Sequence, residues 1–538
     1  MKTAPEDPYH DWTQRMLEIM TGAMSWAFFL LLILLSYFAI PWAAYLLIAY
    51  ILLWFIKILG YSSRLVRGYW HIKLTEQIDW YARLNDLRQP AQALGVLDDD
   101  IKHTSGWRQR AVLRFYRHLL RRAAENEEAM LDPDRVRHVA LISIYNEDIA
   151  ILEDTIQSVI AANYDTSEMF LVIAYEERGG PQIEAGVGDL LSRYEGYFAV
   201  AEAVKHPDDI KTKAANITHA ATWLTRYIRQ HNIDPEQVVV TTLDVDSRPS
   251  EQYFAELTYR YAITPNRVHM SYQPISMFFN NIWDAPALIR VVAACNSFWV
   301  LMEALRPHRL RNFSAHGQSL QTLIDTDYWN QRSIVEDGHQ YWRTYFTYAG
   351  DHQVSPVYSP IYQDAVLVEG YWRTFKAQFY QLRRWVYGVV DTPYVVRRSF
   401  HEPGISWSSK LIHIYRQIEA YFSLAVGPIV LAIGGWLPLL LHAEGTNSVL
   451  ALQLPTIVGV IQTLALLGLV APIISSLITI PPRPDRYSWT RSVMMVAQWV
   501  FVPVTLVVFG SFAALNAQTR VLLGKYLSSF NVTEKKRV

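Results

Sequence analysis

The chain has 538 residues, 49 basic against 50 acidic side chains, and a formal net charge of −1, so no global electrostatic attraction to nucleic acid or to an acidic partner is built into it. One cysteine, Cys295, excludes an internal disulfide and a thiolate zinc cage, and the sixteen histidines show no metal-ligand spacing. Eighteen tryptophans suit a membrane interface and sugar stacking equally well.

Residues 1–20 form a polar tail. From Thr21 to Gly60 the only charge is Lys57, and Pro41 divides the stretch into Thr21 to Ile40 and Trp42 to Gly60. Each half is long enough for a hydrocarbon core of about 30 Å, which predicts a transmembrane hairpin with a tight turn. Lys57, Arg64, Arg67 and Lys73 follow closely, and by the positive-inside rule what comes next is cytoplasmic. Residues 61–137 read as a cytoplasmic helical linker. Its Arg-rich stretch Trp107 to Ala123 is either a helix touching lipid head groups or a solvated helix face, and the second is favoured.

Beyond residue 138 the pattern alternates between strands and helices. Strands are expected at His138 to Ile144, Met169 to Ala174, Ala199 to Val204 and Val238 to Leu243, with helices at Ile149 to Ala162 and Lys213 to Arg229. That alternation predicts an α/β domain over 138–400 with a mainly parallel sheet covered on both faces and its chemistry at the strands' carboxyl ends. After residue 401 come apolar spans at Tyr421 to Leu441, Leu454 to Ile480 and Val493 to Leu515. The basic PPRPDRYSWTR lies between the last two, and a basic tail occupies 516–538. Three crossings would leave the tail outside. The last segment, with Pro503, therefore reads as re-entrant or interfacial, although its length is that of a span.

Short motifs fall on this scaffold in order. The first strand ends at Tyr145, Asn146 and Glu147; the second at Glu176 and Glu177 before two glycines, which would admit a ligand close to the backbone. Lys213 and Asn216 open a helix. The fourth strand runs into Asp244 and Asp246, whose side chains leave one face of an extended segment. Glu336 and Asp337 follow, and then Gln381, Arg384 and Trp385 at helical spacing. Each has an ordinary reading alone: an E-D pair caps a helix, a lysine is surface charge, a tryptophan anchors at the interface.

Taken together and in this order, the motifs resemble those of membrane-embedded family 2 glycosyltransferases, on the branch of the cellulose, hyaluronan and chitin synthases. The resemblance covers residues 138 to 400 and the flanking membrane segments. It implies a GT-A fold between N- and C-terminal transmembrane helices, a multi-pass enzyme of the cell membrane with its catalytic domain in the cytoplasm. A nucleotide-sugar donor, with Mg²⁺ or Mn²⁺, would extend a growing glycan or a lipid acceptor among membrane lipids.

Residue by residue, it implies that Tyr145, Asn146, Glu147, Glu176, Glu177, Lys213, Asn216, Asp244, Gln381 and Arg384 hold the nucleotide sugar. Asp244 and Asp246 would hold the metal, Asp337 would be the general base with Glu336 beside it, and Trp385 would meet the acceptor. Phe530 to Lys535, FNVTEK, is similar to a cytoplasmic gating loop, with Thr533 and Lys535 on the nucleotide. Three departures stand out. Glu176 and Glu177 replace an Asp-Asp pair, Val335 replaces a helix-capping Thr, and His316 and Gln318 occupy acceptor-side positions where the synthases keep small residues. The alternatives are single-sugar transfer to a lipid or short acceptor, and a transporter or receptor with a degenerate nucleotide-binding domain.

Overall fold

The computed structural model describes residues 12–207, 209–441 and 449–527. It divides into two compact units: Arg67–Asn280 with Trp299–Asp364, and Met1–Val66 with Asn281–Phe298 and Ala365–Val538. Part of the expected linker, from Arg67 to residue 137, thus belongs to the sheet-bearing unit. Its helix Trp107–Glu125 buries Val112, Tyr116, Leu119 and Leu120. Tyr116 packs on Tyr259 with ring centroids 5.7 Å apart, while Arg108, Arg114, Arg121 and Arg122 stay exposed.

The first unit is built on eight strands: β1 Arg137–Ile144, β2 Phe170–Glu176, β3 Val200–His206, β4 Val238–Asp244, β5 Arg248–Pro249, β6 Met270–Met277, β7 His316–Ser319 and β8 Gln353–Tyr362. Their order is β3-β2-β1-β4-β7-β6-β8-β5. The first four are mutually parallel. β7 runs antiparallel to β4 and β6, and β5 antiparallel to β8, while β6 and β8 are parallel. The sheet is therefore mixed, where alternation had predicted a mainly parallel one; β7 has four residues and β5 two, too short to show a period.

Alternate residues of β1 face opposite layers, as a strand's period of two requires. Ala140, Ile142 and Ile144 pack with Ile151, Leu152 and Ile156 of the helix Ile149–Ile160. Val139 and Leu141 pack with Ala214, Ile217, Ala221 and Leu224 of the helix Lys213–Gln230. A further helix, Gly180–Tyr194, was not expected from a segment holding three glycines and a proline. Helix Tyr253–Ala262 is tied to β8 by Glu256, whose fully buried carboxylate pairs with Arg260 at 2.7 Å and accepts the N–H groups of Tyr358 and Ser359 at 3.1 and 2.6 Å.

The second unit is helical. Among the described residues, six helices are long and apolar enough to cross a membrane: Trp12–Phe38, Ile40–Thr75, Ala287–Ala304, Trp407–Leu441, Val449–Thr479 and Trp489–Leu522. A single residue, Ala39, separates the first two, and Pro41 sits in the first turn of the second, where its missing N–H costs nothing. The ring centroids of Phe28 and Tyr50 are 5.5 Å apart, so the chain reverses here. Lys57 pairs with Glu419 at 2.5 Å and donates to Ser423 at 3.2 Å. A polar group facing apolar helices thereby finds its partner inside the unit.

Ala287–Ala304 was absent from the predicted spans. In the chain it lies between β6 and β7, which pair with each other. The last segment is a continuous helix, Trp489–Leu522, with a 3₁₀ turn at Gln498–Phe501 and a π turn at Leu506–Ser511. At its start Arg491 donates to the carbonyls of Trp283 and Ala285 at 2.7 and 3.2 Å. At its end Arg15, in the first turn of Trp12–Phe38, donates to the carbonyls of Val521 (2.7 Å) and Leu522.

Candidate active site

β1, β2 and β4 end side by side, and the parallel register pairs Ser143 with Asp244. This brings Tyr145, Glu176 and Asp244 to one edge of the sheet, the edge at which open α/β folds hold ligands. The β1 loop is held from within: one oxygen of Glu147 accepts the N–H groups of Tyr145 at 2.9 Å and Asn146 at 3.1 Å. Glu176 is buried and paired with Arg178, whose guanidinium lies 4.0 Å from the centre of the Tyr145 ring. Asn146 and Glu177 are exposed. The close backbone approach at Gly179 is to the Tyr145 carbonyl, which a Cβ would meet at 2.3 Å; the glycine serves the fold here.

Asn216 does not point to this edge. It is buried, and its amide donates to the carbonyl of Ala174 at 2.9 Å, fastening the helix Lys213–Gln230 to β2. Thr212 caps that helix by accepting the N–H of Ala215, which leaves Lys213 in its first turn. A cation is disfavoured at a helix N-terminus. Lys213 is held there by two carboxylates, Asp244 at 2.5 Å and Glu336 at 3.0 Å.

Glu336 and Asp337 form the acidic first turn of the helix Glu336–Thr347, where negative charge is favoured. Val335 supplies no side-chain cap, as its replacement of a hydroxyl residue implied. Asp337 instead accepts the N–H of Gly338 at 2.8 Å and that of Ser314, on the segment leading to β7, at 2.6 Å. The hydroxyl of Ser314 reaches Asp244 at 2.8 Å. Asp244, Glu336 and Asp337 thus gather around Lys213.

Burial raises the pKa of Glu336, with Lys213 opposing and Asp337 adding to the rise. Burial likewise raises that of Asp337, against the Ser314 N–H and Lys213. Burial works against the charge of Lys213, but Asp244 and then Glu336 outweigh it, and its pKa is raised.

Asp244 keeps 31 % of its side chain exposed. Asp246 is fully buried and accepts the N–H of Asp364 at 2.9 Å. Among the described residues no three His, Cys, Asp or Glu side chains are grouped to hold a metal ion by themselves. This donor set suits a cation that arrives with phosphate oxygens, since Mg²⁺ commonly takes one or two protein carboxylates and completes its shell from substrate and water.

The expected acceptor-side pair is also buried. Gln318 donates to Ser271 at 2.8 Å and lies against Thr344 at 3.3 Å, inside the sheet's packing. His316 sits 3.0 Å from the Ser314 carbonyl, and burial pushes its pKa down to about 4, so the ring is neutral near pH 7. His316 thus supports the segment carrying Ser314. Ser314 itself was missed: only its φ of +51°, invisible in the sequence, marks it out.

Gln381, Arg384 and Trp385 lie in the other unit, on the helix Tyr371–Val386. Gln381 is buried and accepts from Gln378 at 3.0 Å, and Trp385 is exposed. Thr533 and Lys535 lie outside the described residues.

No protein-family model and no curated protein matches the sequence. Among solved structures, the chain is similar to the mannosyltransferase PcManGT from Pyrobaculum calidifontis in complex with GDP-Man and Mn²⁺, at 14 % identity and a TM-score of 0.40, over 82 % of this chain and 100 % of that one. It is similar to the S. aureus TarS 1-349 fragment in complex with UDP-GlcNAc, at 8 % and 0.35, over 73 % and 93 %. GalNAc-T7 with UDP, GalNAc and Mn²⁺ follows at 11 % and 0.32, over 55 % and 58 %. Likeness this distant carries no inference about substrate or mechanism.

Proposed function

We propose that the chain is an inverting membrane glycosyltransferase of the GT-A type, taking sugar from a nucleotide diphosphate donor. The observation that carries this reading is the gathering of Asp244, Glu336 and Asp337 around Lys213 at the carboxyl ends of parallel strands. Burial, with neighbouring carboxylates adding to it, raises the pKa values of Glu336 and Asp337, a cost typical of sites that do chemistry.

In the proposed reaction an acceptor hydroxyl oxygen attacks the anomeric carbon as its bond to the diphosphate breaks, and the hydroxyl proton passes to Asp337. The two N–H groups on Asp337 hold its carboxylate in one orientation, and burial raises its pKa, which strengthens it as a base. Lys213 and Asp244 face the departing diphosphate. A Mg²⁺ or Mn²⁺ ion held by Asp244, with Asp246 backing it, would neutralise charge building on that diphosphate. Tyr145, Arg178, Glu176 and Glu177 frame the nucleoside side of the same edge. Arg384 and Trp385 carry phosphate and acceptor contacts by motif alone.

The product is a β-linked polysaccharide if the donor is α-linked, and export through the chain's own helices belongs to the same proposal. Transfer of one sugar to a lipid is the alternative. We further propose four crossings: the two hairpin helices, Trp407–Leu441 and Val449–Thr479. In this proposal Trp489–Leu522 is re-entrant or interfacial because the stretch before it and the tail after it are both basic.

The function is tested with purified chain in detergent, Mn²⁺ or Mg²⁺, and a panel of UDP- and GDP-sugars, following nucleotide release and product size together. A ladder of long products is expected. One short or lipid-linked product selects the alternative, and no release from any donor ends the reading. The topology is tested by replacing Cys295 with Ser and placing a single cysteine at Asp485 or Lys525. Both should react with an impermeant maleimide from the same side.

A further inference from the structure

We infer that Ser314 is the positioning residue that sets the base against the diphosphate-side carboxylate; this rests on the function proposed above. Its N–H donates to Asp337 at 2.6 Å and its hydroxyl to Asp244 at 2.8 Å. One residue therefore touches both carboxylates, which belong to different elements, a helix N-terminus and a strand end.

The direction of the hydroxyl bond is set by its neighbours. The amide of Gln363 donates to Ser314 Oγ at 2.7 Å and to Ser247 Oγ at 3.0 Å. A serine hydroxyl has one proton; with its oxygen accepting from Gln363, that proton is left for Asp244. Gln363 is in turn fixed by its backbone, its N–H on the Met277 carbonyl at 2.7 Å and its carbonyl accepting from Asn280 at 3.1 Å. On the other side the neutral His316 places Nδ1 3.0 Å from the Ser314 carbonyl. Side chain and peptide of Ser314 are thus both held from outside the site.

The backbone at Ser314 is left-handed, φ +51°, a conformation uncommon and unfavourable for a residue other than glycine. Glycine would adopt it freely but has no hydroxyl to offer Asp244. Geometry errors of about 1 Å at a reacting centre cost on the order of 100-fold in rate. Loss of this hydroxyl leaves Asp337 held but removes the group that fixes the second oxygen of Asp244, whose first stays with Lys213 at 2.5 Å.

The test compares Ser314→Ala and Ser314→Gly in the full chain. Turnover is followed by nucleotide release from the active donor, and cation dependence by Mn²⁺ titration with UDP or GDP. Both variants should lose about 10- to 100-fold in kcat and need several-fold more Mn²⁺ for half-maximal rate, while the pH midpoint of the acid limb, set by Asp337, stays in place. Gly relieves the backbone, so it separates the two roles: Ser314→Gly with wild-type kcat and wild-type Mn²⁺ dependence overturns the inference, even if Ser314→Ala unfolds. Asp337→Asn is run alongside. If it turns over normally, the proposed function has failed; if it is dead while Ser314→Gly is unimpaired, only the role of Ser314 has.

Discussion

Two buried charge clusters stand on the same sheet and are built on different principles. Glu256 and Arg260, one helical turn apart, form a single pair, and two backbone N–H groups of β8 complete the carboxylate. Around Lys213 three carboxylates from two elements crowd together, and two of them have raised pKa values. The first arrangement satisfies its charges locally and fastens a helix to a strand. The second keeps like charges close at a cost in stability, which suggests selection for what the cluster binds. The pair of Lys57 and Glu419 among the apolar helices resembles the first kind.

That contrast can be broken experimentally. Asp337→Asn should show the largest effect, a loss of about 10²- to 10⁴-fold in transfer with nucleotide binding retained, measured as product formation against titration with the nucleotide. Glu256→Ala should do the reverse. It leaves a buried arginine without its carboxylate and should cost about 3–5 kcal/mol, read from denaturant unfolding, with donor affinity per folded molecule unchanged. An Asp337→Asn variant that unfolds, or a Glu256→Ala variant as stable as the parent, would collapse the distinction.

Lys213→Met should act on the site more mildly and with a defined sign. The ammonium holds the pKa values of Glu336 and Asp337 down against burial. Its removal raises them further, so the base stays protonated to a higher pH and the acid limb of the rate profile moves upward. An acid limb that moved down, or stood still, would remove Lys213 from the cluster's electrostatics. Smallest of all, Arg121→Gln with Arg122→Gln should change stability by less than about 0.5 kcal/mol, as expected of a solvated helix face. A loss of membrane-supported activity in that double variant would revive the lipid-contact reading of the Arg-rich helix.

The strands β1 to β4 were legible because each is a short apolar run ending in polar punctuation, and the helix of Lys213 because its apolar positions recur at helical spacing. β5 to β8 were not: two and four residues in β5 and β7 carry no period, and β6 and β8 contain Pro274, Pro356 and Pro360, which argue against a strand. Ala287–Ala304 was passed over as a membrane-length helix because its charged Arg290 and the polar Asn296 and Ser297 break the apolar run. Arg290 is satisfied only in the fold, by Gln498 and the Ala285 carbonyl.

Among the candidate site residues, Lys213, Asp244, Glu336 and Asp337 could be nominated only because their ordered motifs together resemble those of a known family; each alone has an ordinary reading. Asn216, Gln318 and His316 could not be sorted from them. A polar side chain at such a position faces either ligand or core, and burial decides which. Ser314 had no signal at all. The sequence by itself determined strands β1 to β4, the apolar helices near the two ends of the chain, and where the charged motifs fall between them, because those depend on near neighbours. The tertiary structure decided which carboxylates share a lysine, which polar groups turn inward, and which residue joins Asp337 to Asp244. Those depend on contacts between segments far apart in the chain, and no local pattern encodes them.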